Sequence, residues 1–164
     1  VRLARPTDLP GLTALLDRCT PETLYRRFHG VVGSAARKEL ERIATPTPTH
    51  RSWVAVAPDG DIRGTATLAW GRGGDVEIAF LVEDGHRREG IGRALVTAAG
   101  REAARRGVTA IDARIQGDNV AARRFLDAVV PGVATRFEDG LTVATIGPAS
   151  RASATTPAAR PEAA

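Results

Sequence analysis

The sequence has one cysteine, one tyrosine, no methionine, a single lysine (Lys38) and no long apolar run. The lone Cys19 excludes a disulfide within the chain and leaves no thiolate pair for a metal. The three histidines, His29, His50 and His86, are too scattered to suggest a metal site, so no metal is expected. No apolar stretch approaches the ~20 residues that cross a bilayer, and Val1–Pro6 carries no apolar signal core, which predicts a cytoplasmic protein without a membrane partner. Positive charge is almost all arginine. The net charge of +4 is modest, and the arginines are spread along the chain, which argues against nucleic acid and for a mild preference for an anionic ligand. What is present is the composition of a globular domain: 43% hydrophobic and 26% charged residues in 164, enough for one sizeable core.

The pattern along the chain predicts a mixed α/β protein. Residues 1–5 read as a short edge strand. Thr7-Asp8 caps a helix running to about Cys19, with Leu9, Leu12, Leu15 and Leu16 on one face. Thr20-Pro21-Glu22 starts a second helix, bearing Leu24, Tyr25 and Phe28 and stopping near Gly30, and Ala35–Ala44 forms a third. Three strand patterns follow at 53–57, 62–70 and 76–83, with connections short enough for an antiparallel meander. In the second, Ile62, Gly64, Ala66 and Leu68 alternate with Arg63, Thr65 and Thr67. A helix from Gly90 to about Arg106 leads to a strand at 108–115, making 76–83 and 108–115 a candidate parallel pair. Asp118 or Asn119 opens a last helix to about Val129. After a turn at Pro131-Gly132, strands at 133–138 and 141–146 close a hairpin. Residues 1–147 read as one domain, and 148–164, rich in alanine and proline, as a disordered tail.

Chemistry is expected at Asp75–Gly92. An apolar strand runs into Arg87-Arg88-Glu89-Gly90-Ile91-Gly92, a basic, glycine-spaced turn that opens the long helix. Free amides at a helix N-terminus bind anions, glycines let an anion approach the backbone, and the arginines add charge-assisted contacts. Glu77 is a carboxylate within the apolar strand. It reads either as a general base or as a cross-strand partner of Arg63 or Arg114. Gly71-Arg72-Gly73-Gly74 lacks a following helix and lysine, so it is a hairpin loop.

This order of elements, with Arg87-x-x-Gly90-x-Gly92, resembles the GNAT family of N-acetyltransferases. The resemblance implies an α/β (α+β) fold with a mixed, mostly antiparallel sheet of six to seven strands flanked by about four helices. It implies acetyl-CoA as co-substrate, its pyrophosphate on Arg87, Arg88, Glu89, Gly90, Ile91, Gly92 and Arg93, and its pantetheine arm beside Phe80, Leu81 and Val82. It further implies a V-shaped gap between the two parallel strands and a bulge near Phe80–Val82 that aims an amide at the thioester oxygen. Asn119 matches an asparagine that faces coenzyme A, and equally reads as a helix cap. An amine of pKa about 10.4 is neutral in roughly one molecule in 2,500 at pH 7, so Glu77 is the expected base. Thr20-Pro21-Glu22-Thr23-Leu24-Tyr25-Arg26-Arg27-Phe28 is similar to a stretch of the Pat-like protein lysine acetyltransferases, which implies that Glu22, Tyr25 and Arg26 lie near the acceptor. Phe125 stands where many relatives carry a tyrosine that protonates the leaving thiolate. The expected function is acetyl transfer to a primary amine, a protein lysine first and a small amine second, and a non-catalytic acyl-CoA-binding module is the alternative. A homodimer fits the family's habit.

Overall fold

The computed structural model describes residues 1–28, 34–130 and 132–147. The expected helix stop at Gly30, the turn residue Pro131, His29 and the tail at 148–164 lie outside them. The elements in order are β1 (Arg2–Leu3), α1 (Leu9–Asp17), α2 (Pro21–Phe28), α3 (Ser34–Ala44), β2 (His50–Val56), β3 (Ile62–Trp70), β4 (Val76–Val82), α4 (Ile91–Arg105), β5 (Ile111–Gln116), α5 (Val120–Val129), β6 (Ala134–Glu138) and β7 (Leu141–Ile146). The strands form one sheet in the order β1-β2-β3-β4-β5-β7-β6, antiparallel except for β4 and β5. The mixed α/β class and the seven strands match expectation, and five α-helices stand where about four were expected. No helix of the described residues is long and apolar enough to cross a membrane.

Helices cover both faces of the sheet. On one, Leu95, Val96, Ala99 and Ala103 of α4 and Leu126 of α5 pack on Ala66, Leu68, Val76 and Ile78. On the other, Leu12 and Leu15 of α1 and Leu40 and Ile43 of α3 pack on Val54, Ile62 and Leu81. This double cover explains a departure from the polar face expected of β3. Thr65 and Thr67 are buried, each satisfied by a hydrogen bond: the Thr65 hydroxyl donates to the Trp53 carbonyl at 2.9 Å, and Thr67 shares 2.9 Å with the Ser52 hydroxyl.

Two local readings need correcting. The β2–β3 register jumps from Ala55↔Gly64 to Val56↔Ile62, so Arg63 is an extra residue and Ile62 turns to the α1 face, away from the side that Gly64 shares with Leu95. Asp8 does not cap α1. It closes a 3-10 turn at Pro6–Asp8, accepting the Arg5 amide at 2.8 Å and both ends of the Arg2 guanidinium at 2.7 Å, because the arginine is the stronger donor.

The feature that positions the site is an incomplete ladder. β4 pairs with β3 through seven residue pairs and β5 with β7 through six, but β4 and β5 share only Glu77↔Asp112. Beyond that pair the two parallel strands part, and the edge of β4 from Ile78 to Val82 faces an opening. The bulge expected at Phe80–Val82 is absent, because Val76–Val82 is matched one-to-one by Gly64–Trp70, leaving no extra residue.

Gly64 sits opposite the end of this edge. A Cβ there would lie 2.8 Å from the Leu81 carbonyl oxygen, 3.1 Å from Leu95 and 3.2 Å from Ile91. Gly64→Ala is therefore expected to lose about 1–3 kcal/mol of stability, read from urea denaturation.

Candidate active site

At the end of β4 two consecutive acids fix the chain's direction. Glu83 is buried and accepts from Arg18 Nε at 3.0 Å and Arg63 Nη1 at 3.1 Å. Burial pushes its pKa up, but the two guanidinium groups outweigh burial and leave it below the ordinary carboxylate range. Asp84 accepts the Thr20 amide at 2.8 Å and the Thr23 hydroxyl at 2.7 Å at the start of α2, and pairs with Arg87 at 2.6 Å. Its burial is likewise outweighed by these partners, and its pKa is lowered.

The turn that follows has two left-handed residues, Arg88 at φ 66° and Gly90 at φ 83°. Gly90 is the N-cap of α4, and no side chain caps this helix. By contrast, Thr20 accepts from the Thr23 amide at α2, and Asn119 accepts from the Ala122 amide at α5. The first-turn amides of α4 at Ile91, Gly92 and Arg93 are thus free of a side-chain cap, as are those of α1, and only those of α4 follow a glycine-spaced basic turn. This fits the pyrophosphate of coenzyme A, and Gly90 is required there by its left-handed backbone.

Gly92 has a second reason to be glycine. A Cβ there would meet the Phe125 ring at 3.0 Å, and that ring packs against Phe80 with centroids 5.1 Å apart. Phe80, Val82 and Ile91 are partly buried against the α4 core, while Leu81 is buried on the opposite face. Two of the turn's arginines are engaged within the chain. Arg87 holds Asp84 and the Thr23 hydroxyl, and Arg93 donates to the Ala128 carbonyl at 3.1 Å. Glu89 pairs with His86 at 3.1 Å. Asn119 acts as the cap, and its Oδ1 also accepts from Arg26 at 3.1 Å.

Glu77 stands at the apex of the opening. Its side chain is 47% exposed, and Oε2 lies 3.4 Å from Arg114 Nε. Arg63, the other partner considered, instead pairs with Asp59, Asp61 and Glu83. Arg27 of α2 and Arg42 of α3 are close enough for the Glu77 charge to act on them.

Of the acceptor candidates, Tyr25 is 52% exposed and lines a cleft of about 470 Å³ with Gln116, Gly117, Asp118, Asp139, Gly140 and Leu141. Arg26 forms a 2.7 Å ion pair with Glu22 and lies 4.0 Å from Asp118. A cavity of similar size, about 450 Å³, lies at the other end of β4 and β5, between Trp70, Asp75, Arg106 and Asp112, and gathers none of the residues expected to bind coenzyme A or the amine or to act as base. The sequence reading missed Asp84 and Thr23 as the tether of the turn, and Asp118 and Asp139 as the acids of the cleft. An acid three residues before Arg87 was the available signal for Asp84. Nothing local marks the others, because they meet only through the fold.

Residues 12–128 match the model of the acetyltransferase (GNAT) family. The chain belongs to that family. It is 34% identical over 123 residues, 75% of its length, to the mycothiol acetyltransferase of Clavibacter sepedonicus, and spans 36% of that relative's length. In fold it is similar to the GNAT domain of S. lividans PAT, with a TM-score of 0.77, 23% identity and coverage of 89% of this chain and 88% of that one. It is also similar to the PaiA N-acetyltransferase of Thermoplasma acidophilum, a coenzyme A complex, with a TM-score of 0.68, 14% identity and coverage of 89% and 96%.

The two demands on Gly92 separate experimentally. Gly92→Ala should lose both stability and acetyl-CoA affinity. Adding Phe125→Leu should restore the melting temperature through the recovered space, while calorimetric affinity stays low. The acids make a pH prediction. Glu83 and Asp84 have lowered pKa values, so their stabilisation is complete above the ordinary carboxylate range, about pH 4–5, and is lost as pH falls below it towards their folded values. The melting temperature should hold from pH 7 to about pH 5 and fall below that, with a shallower acid limb in Glu83→Gln.

Proposed function

We propose that this chain moves an acetyl group from acetyl-CoA to a primary amine by direct attack in a ternary complex, with residues 1–147 as the catalytic domain, working in the cytoplasm. The observation that carries this is the parting of β4 and β5 beyond Glu77↔Asp112, beside the α4 N-terminus that no side chain caps. The amides of Ile91–Arg93 hold the pyrophosphate, and Arg87 and Arg88 add charge around it. The open edge of β4 at Phe80–Val82 takes the pantetheine arm as an added strand. Without a bulge, an amide on that same edge is the donor to the thioester oxygen.

Glu77 takes the proton from the amine, directly or through one water. Its exposure and its place at the apex favour this, and Arg114 holds the carboxylate in position until the amine arrives. Phe125 has no proton to give, so the thiolate leaves unassisted or takes a proton from water, as its pKa of about 8.5 permits. Asp118 and Asp139 give the cleft beside Tyr25 negative charge that suits a cationic amine, and a protein lysine is the first reading of the acceptor. A small amine is the second, favoured by the 34% identity to an enzyme named for mycothiol.

Glu77→Gln should lower kcat by about 10²–10⁴-fold and leave the Kd for acetyl-CoA unchanged, measured by thiol release and calorimetry. An unchanged kcat removes Glu77 as the base. Binding of acetyl-CoA by the wild type with no acetylation across a panel of proteins and small amines would identify a binding module instead.

A further inference from the structure

The search leads to the outer edge of the sheet. β6 is the last strand, and among the described residues no strand lies on its far side. All five of its residues are exposed, and Phe137, at 75%, is the most exposed large hydrophobic side chain among the described residues. The opposite edge, β1, is only two residues long and offers little to pair with. An exposed edge strand that carries an exposed aromatic residue is a template for another strand.

We propose that β6 pairs antiparallel with β6 of a second copy of this chain, in the register centred on Phe137. The hairpin determines which backbone groups are available. Asp139 and Gly140, at φ 50° and 80°, form a two-residue turn with both φ values positive, so Glu138↔Leu141 is a hydrogen-bonded pair. Alternation then makes Arg136↔Val143 and Ala134↔Thr145 the other bonded pairs, and turns the N–H and C=O groups of Thr135 and Phe137 outward. A two-fold pairing must join these outward groups, which leaves few registers.

Charge chooses among them. A register centred on Arg136 sets two guanidinium groups face to face. One centred on Thr135 leaves Glu138 without a basic partner. The register centred on Phe137 places Arg136 opposite the partner's Glu138, twice by symmetry, and Phe137 against the partner's Phe137. Arg136 is already held over the sheet by Asp112 at 2.8 Å, Thr145 at 3.0 Å and Glu138 at 3.4 Å, so it has little freedom left to lose on pairing. In this register the partner's Thr135 lies across from Asp139, which lines the cleft beside Tyr25. The second copy thus borders that cleft, although the pairing itself does not depend on what the cleft binds.

Sedimentation equilibrium of the whole chain tests this. The wild type should sediment as a concentration-dependent dimer. Thr135→Pro removes an outward N–H without touching the β7 ladder and should give a folded monomer. Arg136→Glu and Glu138→Arg should each raise the dimer dissociation constant about tenfold or more, and the double exchange should restore it. Acetyl-CoA affinity should be the same in the monomeric and dimeric forms. A wild type that stays monomeric at all concentrations overturns the proposal. So does a dimer that survives Thr135→Pro, or one that is not restored by the double exchange, since either would mean that another surface joins the copies.

Discussion

The structure depends on a pairing that stops early. Parallel strands are held together by regular ladder bonds, yet β4 and β5 keep one residue pair and then separate. An opening inside a sheet leaves backbone groups without partners, which is tolerable only where water or a ligand reaches them. The protein confines that cost to one edge. β4 is fully paired on its other side with β3, and β5 with β7, so each wall of the opening belongs to a complete antiparallel sheet. Each wall is thus braced on its far side.

The turn beyond β4 is made rigid in a different way. Arg88 adopts a left-handed conformation that a free loop would leave, beside Gly90, which takes one without strain. Glu83 and Asp84 offset this by fastening the chain just before the turn to Arg18 at the end of α1 and to the first residues of α2. The helix N-terminus is therefore presented by charge pairs on one side and by the Phe125–Phe80–Gly92 contact on the other. Pre-organisation of this kind reduces the ordering that ligand binding must otherwise supply.

Most of the fold was legible because its signals are local: glycine and proline punctuation, apolar periodicity, and a strand–helix–strand order that made a parallel pair the candidate. The family signature was legible for the same reason, being a local motif at the start of α4. What could not be read were side-chain partners distant in sequence. Thr23 and Arg87 are 64 residues apart, and Arg26 and Asn119 are 93 apart. Gly92 was legible as a glycine with a purpose, but the ring it clears comes from another helix. Asp8 looked like a cap by its position and became the partner of Arg2, and the alternation in β3 failed at Arg63, where a bulge adds a residue.

Arg87 and Asn119 are both attached to α2, the first through the Thr23 hydroxyl and the second through Arg26. A pyrophosphate that drew Arg87 towards itself would compete with Asp84 and Thr23 for the same guanidinium, and so would change what holds α2 in place. Tyr25 rides on that helix. On the function proposed above, the two openings would be thermodynamically linked, with whatever factor one ligand applies to the other's affinity returned in equal measure.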